Sequence, residues 1–331
     1  MLIVTTEHFK NGNLPLSKNG IPQVSDDDYH RLRGYKLEKD DIVFSRVGSI
    51  DINAYVEQSQ QGWLFSGRVL RVRPIKSVNS LCLHYILSTE SVKRSIRNRA
   101  VGQTMPSINT PILSNTKINI PQSVVEQKKI ANLLSLLDER ITTQSKIIDK
   151  LQSLIKGIAQ KIVRSNKPNV RLYECVECSS STQQESEVCE QGAYPVYGAN
   201  GIVGYLDDYN TEGEAVYIIK DGSGVGTVSY VTGKCSATGT LNTLQAKDGY
   251  SLQYLYYLLK VFNFEPYKTG MAIPHIYFKD YGKAKVFCPS YTEQLQYARL
   301  LSAIDSKLSV EKNTLRNLSL QKQYLLRQMF I

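Results

Sequence analysis

Several polar side chains that can hydrogen-bond to base edges stand in predicted turns of this chain. Arginine can donate two hydrogen bonds to guanine, and an asparagine amide can both donate to and accept from adenine. The candidate readers are Ser45, Arg46 and Arg68 in the first half and Tyr197, Asn200, Lys220, Ser223 and Thr240 in the second half. Each could equally contact a phosphate or lie on a solvated surface, and both roles stay open at this point.

The overall charge favours an anionic partner for these side chains. The 331 residues include 40 Lys and Arg against 30 Asp and Glu, which leaves a formal net charge of +10. No run of about 18 apolar residues is present, and no basic segment followed by an apolar one opens the chain. We therefore expect a cytoplasmic protein that binds nucleic acid and has no membrane partner.

Other patterns that could do chemistry are weak. Cys175 and Cys178 have the spacing of a metal-binding pair, but no second such pair follows and the four histidines are not spaced as zinc partners. The glycine-rich stretch Asp221 to Thr227 precedes a predicted strand instead of the helix N-terminus that a phosphate loop requires. We find no phosphate-loop, amino-methyltransferase or zinc-hydrolase motif, so we expect no catalytic residue, metal or cofactor in this chain.

An internal repeat organises the chain. The pattern Gly-x-x-x-Pro-x-Ile occurs at Gly102 to Ile108 and again at Gly270 to Ile276, and each copy leads through a short apolar strand and Pro to Glu-Gln and a long helix. Repetition argues for a structural turn, whereas the variable polar positions could face DNA, and we leave both open. Those positions are Gln103, Thr104, Ser107 and Asn109 in the first copy and His275 and Tyr277 in the second.

Both long helices carry a heptad pattern, in which aliphatic residues recur every three or four positions. This pattern predicts a coiled-coil seam with a polar residue, Gln144 or Glu311, near its middle. Pro168 ends the first helix and the next globular segment begins at once, so the helices are most simply antiparallel. The seam residues are predicted to be Leu134, Leu137, Ile141, Ile148 and Leu151 in the first helix and Leu301, Ile304, Leu308, Leu315 and Leu318 in the second.

The predicted fold class is α+β, with two mixed, mostly β recognition domains separated by two long helices packed as an antiparallel coiled coil, in a pseudo-two-fold internal repeat. The predicted boundaries are 1–121 for the first recognition domain, 122–166 for the first helical spacer, 167–289 for the second recognition domain and 290–331 for the second spacer. The sequences of the two helices are more similar to each other than the sequences of the two globular units are. This difference suggests a common helical scaffold that carries two recognition domains of different specificity.

This pattern resembles the specificity subunit of type I restriction-modification systems over nearly the whole chain. The repeated Glu-Gln helix element is its most specific part, and the stretches Lys36 to Ile50 and Tyr194 to Tyr205 are similar to segments of that family's target-recognition domains. The resemblance implies that each recognition domain reads one half of a bipartite DNA site and that the helices fix the gap. It also implies two methyltransferase subunits that use S-adenosylmethionine, restriction subunits that use ATP and Mg²⁺, and no catalysis by this chain.

The first recognition domain departs from the pattern. In the second domain, Val170 to Ala193 precedes the stretch that starts at Tyr194, whereas the comparable apolar start of the first domain lies at its very beginning. The first domain is therefore expected to be shortened, and such a chain could be a naturally shortened or silent allele, a product of recombination among specificity genes, or a sequence with a misassigned start. Two further interpretations stay open: a non-catalytic scaffold that binds RNA or protein, and the recognition half of a fused enzyme.

Overall fold

The computed structural model describes residues 1–270 and 272–330, so Met271 of the second repeated loop and Ile331 of the second helical spacer lie outside the description. The chain divides into two compact units. Unit 1 contains Met1–Ser145 together with the described residues from Thr314 onward, and unit 2 contains Lys146–Asn313. Each unit therefore contains one globular segment and part of each long helix.

The first repeat is a series of short strands and helices that ends in a long helix. In chain order its elements are β1 (Ile3–Val4), α1 (Asp26–Arg31), β2 (Ile42–Ser45), β3 (Asn53–Tyr55), β4 (Leu64–Phe65), β5 (Val69–Val72), α2 (Ser80–Leu87), α3 (Glu90–Arg97), α4 (Thr110–Ser114) and α5 (Val124–Arg164). The second repeat adds further strands and ends in the same way. Its elements are β6 (Val170–Arg171), α6 (Leu172–Cys175), β7 (Val176–Ser180), β8 (Tyr194–Gly198), β9 (Gly201–Leu206), β10 (Glu214–Ile219), β11 (Val228–Thr232), β12 (Ser236–Ala237), β13 (Leu241–Ala246), α7 (Leu252–Leu259), α8 (Phe278–Tyr281), β14 (Lys285–Val286) and α9 (Tyr291–Met329).

The central sheet of unit 1 has the antiparallel strand order β3-β2-β5. All four residues of β2 are buried, as expected for a central strand that is rich in β-branched and aromatic side chains. In its register Ile42 lies between Tyr55 on β3 and Val72 on β5. A second, parallel pair joins β1 to β4 and places Ile3 opposite Leu64.

Unit 2 repeats this arrangement and extends it. Its main sheet has the order β11-β10-β13-β7, and Val216 on β10 lies between Tyr230 on β11 and Leu244 on β13. Thus β10 corresponds to β2, and its neighbours correspond to β3 and β5. The parallel pair of β12 and β8 corresponds to β4 and β1. The additional strand β7 lies on the far side of β13, and β6 pairs with β14.

One short helix in each unit links the sheet to a long helix. Asn79 caps α2 through its side-chain oxygen, which accepts from the amide of Cys82, and Ser251 caps α7 in the same way with Tyr254. Most residues of both helices are buried.

The long helices pack together through their apolar positions. In unit 1 the beginning of α5 lies with the end of α9, and Leu134 and Leu137 share a core cluster with Leu318. In unit 2 the end of α5 lies with the beginning of α9, where Ile155 and Leu301 are buried. Within each unit the two helices therefore run in opposite directions, in agreement with the predicted antiparallel pairing. No helix among residues 1–270 and 272–330 combines the length and apolar character needed to cross a bilayer.

Candidate nucleic-acid interface

In unit 1, three distant segments meet at the end of β2. The backbone amide of Arg46 donates to the carbonyl of Arg68 at 3.0 Å, and the carbonyl of Arg46 accepts from the amide of Ile108 at 2.9 Å. Two residues further on, the amide of Gly48 donates to the carbonyl of Pro106 at 2.9 Å. We call this set of hydrogen bonds the strand-end framework, because it fixes the repeated loop against the end of the central strand.

Unit 2 contains the same framework built from different residues. The amide of Lys220 donates to the carbonyl of Thr240 at 3.0 Å, and its carbonyl accepts from the amide of Ile276 at 2.9 Å. The amide of Gly222 then donates to the carbonyl of Pro274 at 3.0 Å. A basic residue therefore follows the central strand in both units, on an equivalent backbone.

The repeated Gly-x-x-x-Pro-x-Ile loop is closed by a pair of backbone hydrogen bonds. Val101 and Ser107 exchange bonds of 2.9 and 2.8 Å in unit 1, and Thr269 and His275 exchange bonds of the same lengths in unit 2. Gly102 has a φ of +98°, and a Cβ added there would lie 2.8 Å from the carbonyl oxygen of Met105. Only glycine fits this turn without strain, which explains why both copies begin with it.

The predicted readers of unit 1 are mostly exposed around the strand-end framework. Arg46 is exposed and donates one guanidinium hydrogen bond to the carbonyl of Gly67 at 3.2 Å, and Arg68 is exposed beside it in the same framework. Gln103 and Thr104 are exposed in the repeated loop. These four side chains are therefore available to a ligand at one edge of the unit.

The other three predicted readers of unit 1 have structural partners. Ser45 is only 2% exposed, and its hydroxyl donates to the carbonyl of Val47, so its side chain faces inward. The side-chain oxygen of Asn109 accepts from the amide of Ile112 at 2.9 Å and caps α4. Ser107 is half-buried and its hydroxyl donates to the carbonyl of Val101 at 3.3 Å. A buried hydroxyl cannot reach a base edge, so Ser45 has a structural role at the end of β2.

In unit 2 the framework brings Lys220, Ser223 and Thr240 to one loop cluster. Ser223 is exposed, whereas Lys220 and Thr240 are half-buried. The Thr240 hydroxyl lies 2.8 Å from that of Thr238, and the amide of Thr238 donates to the carbonyl of Tyr197. This hydrogen bond connects β8 to the same cluster.

The remaining aromatic and amide candidates of unit 2 differ in exposure. The ring of Tyr197 is half-buried and packs against Tyr217, with 5.6 Å between centroids. Tyr277 is nearly half exposed, and the ammonium group of Lys279 lies 5.3 Å from its ring centroid. Asn200 is exposed in the turn between β8 and β9. Tyr277 and Asn200 thus offer side chains to a ligand, whereas Tyr197 contributes mainly to packing.

His275 has a partner that the sequence did not suggest. Its Nδ1 atom lies 2.6 Å from the Oδ1 atom of Asp221, and each side chain is about one third exposed. When Nδ1–H donates to the carboxylate, the ring is held and Nε2 is left on the opposite side as an acceptor. The equivalent pair in unit 1, Val47 and Ser107, has only a backbone bridge, so the two frameworks present different chemistry.

Asp221 is absent from the predicted readers, although its neighbours Lys220 and Ser223 in the same glycine-rich stretch are among them. In the structure Gly222 and Gly226 have φ values of +92° and +89°, and β11 follows, so this stretch is a turn between strands. The signal in the sequence for a role of Asp221 is its position next to Lys220. Its contact with His275 cannot be predicted without knowing that the loop of His275 folds back onto Asp221.

The glutamine of the repeated Glu-Gln pair joins each globular segment to its helix. The Gln127 amide oxygen accepts from the backbone amide of Asn79 at 2.7 Å, and its Nε2 atom donates to the carbonyl of Pro121 at 2.7 Å. Gln294 repeats both bonds with Ser251 and Pro289, each at 2.9 Å. Both glutamines are buried, so each is fully used in anchoring a helix N-terminus.

Asp138 on α5 and Asp305 on α9, at equivalent positions of the two long helices, make a second connection to the globular segments. The hydroxyl of Tyr85 on α2 donates to the carboxylate of Asp138 at 2.9 Å, and Lys322 on α9 forms an ion pair with the same carboxylate. Tyr257 and Asp305 form the corresponding contact at 3.5 Å. Burial, and secondarily the nearby carboxylate, raises the pKa of both tyrosines, which therefore remain neutral donors.

The predicted seam residues all lie on the covered face of their helices. Leu134, Leu137, Ile148, Leu301, Leu308 and Leu318 are buried, and Ile141, Leu151, Ile304 and Leu315 are half-buried. Gln144 is also buried, at 9% exposure. Glu311 is half-buried and forms an ion pair with Lys307 on its own helix. The heptad interpretation therefore places its residues on the face by which the helices pack.

The two cysteines with metal-like spacing have separate surroundings. Cys175 is buried with its sulfur 3.8 Å from that of Cys288, whereas Cys178 is half-buried on β7. Within the part of the chain that the structure describes, no three His, Cys, Asp or Glu side chains are grouped as metal ligands. The six cysteines are free thiols.

Comparison with known proteins agrees with this duplicated architecture. The family model for the type I restriction modification DNA specificity domain matches the chain twice, at residues 3–153 and 169–319. A putative type I specificity subunit of Mycoplasma genitalium is 26% identical over 264 residues, which are 73% of this chain and 68% of that protein. A putative type I restriction enzyme specificity subunit of Methanocaldococcus jannaschii is 28% identical over 236 residues, which are 68% of this chain and 54% of that protein.

Solved structures show the same fold. The crystal structure of the S subunit of a type I restriction-modification system from M. genitalium superposes with a TM-score of 0.67 at 21% identity, covering 90% of this chain and 84% of the other. Two copies of the family domain account for nearly all of the residues, and each copy carries the strand-end framework and the glutamine anchor described above. The chain belongs to the family of type I restriction-modification DNA specificity subunits.

Proposed function

We propose that this chain reads a bipartite DNA sequence, with one half recognised by each unit. The observation that carries this proposal is the duplicated strand-end framework, which presents equivalent backbones with different exposed side chains. Arg46, Arg68, Gln103 and Thr104 are the readers of unit 1, while Lys220, Ser223, His275 and Tyr277 are those of unit 2. Two unlike sets on one frame suit two unlike half-sites.

The mechanism is binding without intrinsic catalysis. The net charge of +10 supports attraction to phosphates, which provides affinity that falls as salt concentration rises. Discrimination then comes from the side chains around the two frameworks. S-adenosylmethionine belongs to the methyltransferase partner, and ATP and Mg²⁺ belong to the restriction partner. Extruding the target adenine costs roughly a few kcal/mol, which clamping by the specificity chain offsets.

We further propose that methyltransferase subunits dock on the outer faces of the helices. In unit 1 these faces expose Leu133, Leu136, Leu320 and Tyr324, and in unit 2 they expose Ile147, Leu154, Leu300 and Val310. Large exposed apolar side chains on a helix face are typical of a protein interface. Because each unit has such a set, two methyltransferase subunits are expected, and restriction subunits join the resulting complex. The two continuous helices, of 41 and 39 residues, are proposed to set the gap between half-sites.

The test is to map methylation made by the assembled complex. The chain is co-expressed with the methyltransferase subunit encoded beside it, in a host without other DNA methylation, and N6-methyladenine is located by single-molecule sequencing. A two-part motif with a fixed gap is the expected result. Co-purification without methylation would instead identify a silent allele, and absence of both methylation and co-purification would favour the non-catalytic scaffold.

The docking faces have a separate test. Leu136→Lys and Leu300→Lys are expected to abolish co-purification of the methyltransferase subunit from one unit each, so that the double variant loses it entirely. Lys128→Glu and Lys312→Glu, at exposed positions on the same helices, serve as charge-changing controls. Unchanged co-purification of the leucine double variant would contradict docking on these faces.

A further inference from the structure

Two buried cysteines of unit 2 contact each other although they are far apart along the chain. Cys175 is the last residue of α6 and Cys288 follows β14, so 113 positions separate them in sequence, yet their sulfur atoms lie 3.8 Å apart. The two residues are 0% and 6% exposed. This pair is distinct from the metal-like spacing of Cys175 and Cys178, because the Cys178 thiol donates to the carbonyl of Ser179 instead.

The backbone on both sides of this cysteine pair is fixed by hydrogen bonds. The side chain of Asn169 accepts from the amide of Cys288 at 2.9 Å and donates to its carbonyl at 2.7 Å. Strand β6 pairs with β14, and the amide of Leu172 donates to the carbonyl of Ala284 at 3.0 Å. The surrounding fold therefore holds the two sulfur atoms as neighbours.

The hydrogen bonds of the pair make its two sulfur atoms unequal. The Cys175 thiol donates to the carbonyl of Arg171 at 3.5 Å, which leaves the Cys288 thiol as the donor to the Cys175 sulfur. This second bond lowers the pKa of Cys175 against the effect of burial, whereas the same bond and burial both raise the pKa of Cys288. Because the thiolate is the reactive form, Cys175 is the nucleophile of the pair.

The position of the pair determines what a bond between the sulfur atoms would connect. Cys175 belongs to the segment 169–180, whose strand β7 completes the main sheet by pairing with β13. Cys288 precedes Pro289, whose carbonyl accepts from the side chain of Gln294 at the N-terminus of α9. A covalent bond would thus connect the first segment of this recognition domain to the start of the long helix.

We propose that a hydroperoxide converts Cys175 and Cys288 to a disulfide, which tethers segment 169–180 to the start of α9. The Cys175 sulfur attacks hydrogen peroxide, becomes a sulfenic acid and releases water. The Cys288 sulfur then attacks the Cys175 sulfur, the S–S bond forms, and the hydroxyl leaves with the Cys288 proton as a second water. Two electrons pass from the two thiols to one peroxide molecule, and a dithiol reductant reverses the step by thiol-disulfide exchange.

The modification is confined to one unit. Cys82 is the one cysteine among the described residues of unit 1, and Ile120 precedes Pro121 there as Cys288 precedes Pro289 in unit 2. Unit 1 is therefore an internal control for oxidation of unit 2.

Peroxide must reach a buried sulfur atom. Strands β6 and β14 have two residues each, so the pair between them is short. Local opening of such a pair requires less free energy than unfolding of the whole unit. Peroxide therefore reacts with Cys175 during these openings, and the disulfide then suppresses them.

The first test maps the disulfide in the intact chain. Reduced protein is treated with stoichiometric hydrogen peroxide, the remaining thiols are alkylated in denaturant, and the chain is digested with trypsin and a glutamate-specific protease. These enzymes place Cys175 in the peptide 175–177 and Cys288 in the peptide 286–293, both separate from Cys178. A mass that joins these two peptides, and that disappears after reduction with dithiothreitol, is expected.

Two variants control for the choice of partner. Cys178→Ala should retain the cross-link, because Cys178 is outside the pair, whereas Cys288→Ala should lose it. Oxidation of the exposed Cys189 shows in each sample that peroxide has reacted. A wild-type sample with oxidised Cys189 but no cross-link, or with Cys175 bonded to Cys178 instead, would overturn the proposal.

Hydrogen exchange tests whether the disulfide tethers the segment. The amides of Asn169, Leu172 and Tyr173 donate to carbonyls of residues 282–286. Their exchange should be at least about tenfold slower in the oxidised chain than in the reduced chain, because the cross-link suppresses local opening. The amide of Val56 in unit 1, which donates to the carbonyl of Asp41, should exchange equally in both forms.

A disulfide that leaves exchange at these three amides of unit 2 unchanged would contradict the tether. No DNA or methyltransferase subunit is present in either assay, so failure of this proposal is separate from any failure of the proposed DNA recognition.

Discussion

The backbone carbonyl of Lys220 accepts a hydrogen bond from the amide of Ile276 at 2.9 Å, and the carbonyl of Arg46 accepts from Ile108 at the same distance. This shared geometry places a cationic side chain at the same point of the fold in each unit. The two residues are therefore a matched pair for separating the contributions of the two units to DNA recognition.

Arg46→Ala is expected to weaken discrimination at one half-site only, and Lys220→Ala at the other half-site only. Loss of a good base contact costs roughly 1–3 kcal/mol of discrimination. The measurement is the affinity of the assembled complex for duplexes in which one half-site at a time is altered. Arg31→Ala, at an exposed residue of α1 outside the framework, is the control. An equal loss on unrelated DNA would show that the side chain contacts phosphate instead.

The contact between His275 and Asp221 predicts a base preference in the half-site of unit 2. With Nδ1–H donating to Asp221, Nε2 can accept from the exocyclic amino group of cytosine or adenine. His275→Ala should therefore relax the mapped methylation motif at one base pair of that half-site. Asp221→Asn keeps an acceptor for the ring and should have a smaller effect than Asp221→Ala. The idea fails if His275→Ala leaves the motif unchanged while Lys220→Ala alters it.

Sequence periodicity was sufficient to predict the features that depend on local spacing. The heptad pattern located the covered face of both helices, because a helix places residues three and four apart on one side whatever its surroundings. Repetition likewise identified the glycine of each loop and the glutamine of each helix as important. The reason for each was not available from the sequence, since Gln127 bonds to Asn79, which lies 48 residues away along the chain.

The residues of the candidate site were harder to predict from the sequence than the long helices and the repeated loops. Ser45 and Arg46 are neighbours in sequence, yet Ser45 is buried as the last residue of β2, whereas Arg46 is exposed just beyond the end of that strand. Asn109 has an amide side chain that could read a base, but in the structure this side chain caps a helix. Asp221 is absent from the predicted readers, although its carboxylate contacts His275. Such assignments depend on which segments meet in space, and residue type does not specify that.

The glutamine anchor predicts a measurable stability difference. Gln127→Ala leaves the backbone amide of Asn79 and the carbonyl of Pro121, both of half-buried residues, without this partner and should cost about 1–3 kcal/mol. Gln127→Glu keeps the acceptor but loses the donor, so its cost should be at least as large once carboxylate burial is included. The single tryptophan, Trp63, is buried in unit 1, so its fluorescence during urea unfolding reports on this unit.

Lys128→Ala is the control for the glutamine variants, because Lys128 is exposed and adjacent to Gln127 on the same helix. Its unfolding midpoint should stay close to that of the wild type. A Gln127→Ala chain that unfolds at the wild-type urea concentration would show that the two hydrogen bonds contribute little to unit 1.

The loop glycine predicts a conformational penalty. Gly102→Ala introduces a Cβ at positive φ and against the carbonyl oxygen of Met105, and we expect a loss of roughly 1–3 kcal/mol of local stability. Hydrogen exchange at the amides of Val101 and Ser107 should become faster, because the pair that closes the loop is distorted. Gly34→Ala is the control, since a Cβ there meets no atom within 4 Å and requires no positive φ. Unchanged exchange in Gly102→Ala would contradict the strain argument.

His84 makes the stability of unit 1 depend on pH. Its Nδ1 atom lies 2.7 Å from Oδ1 of Asn53, and burial, reinforced by the charge of Lys322, lowers its pKa to about 4. The unfolded chain, with a pKa near 6.5, binds the proton more readily, so stability is complete above that value and falls by up to about 1.4 kcal/mol per pH unit as pH drops toward 4. Urea unfolding followed by Trp63 fluorescence at pH 7.5 and 5.0 should show this loss, and His84→Gln should reduce it, since a glutamine amide can still donate to Asn53 but does not titrate. An equal pH dependence in both chains would assign the effect to other groups.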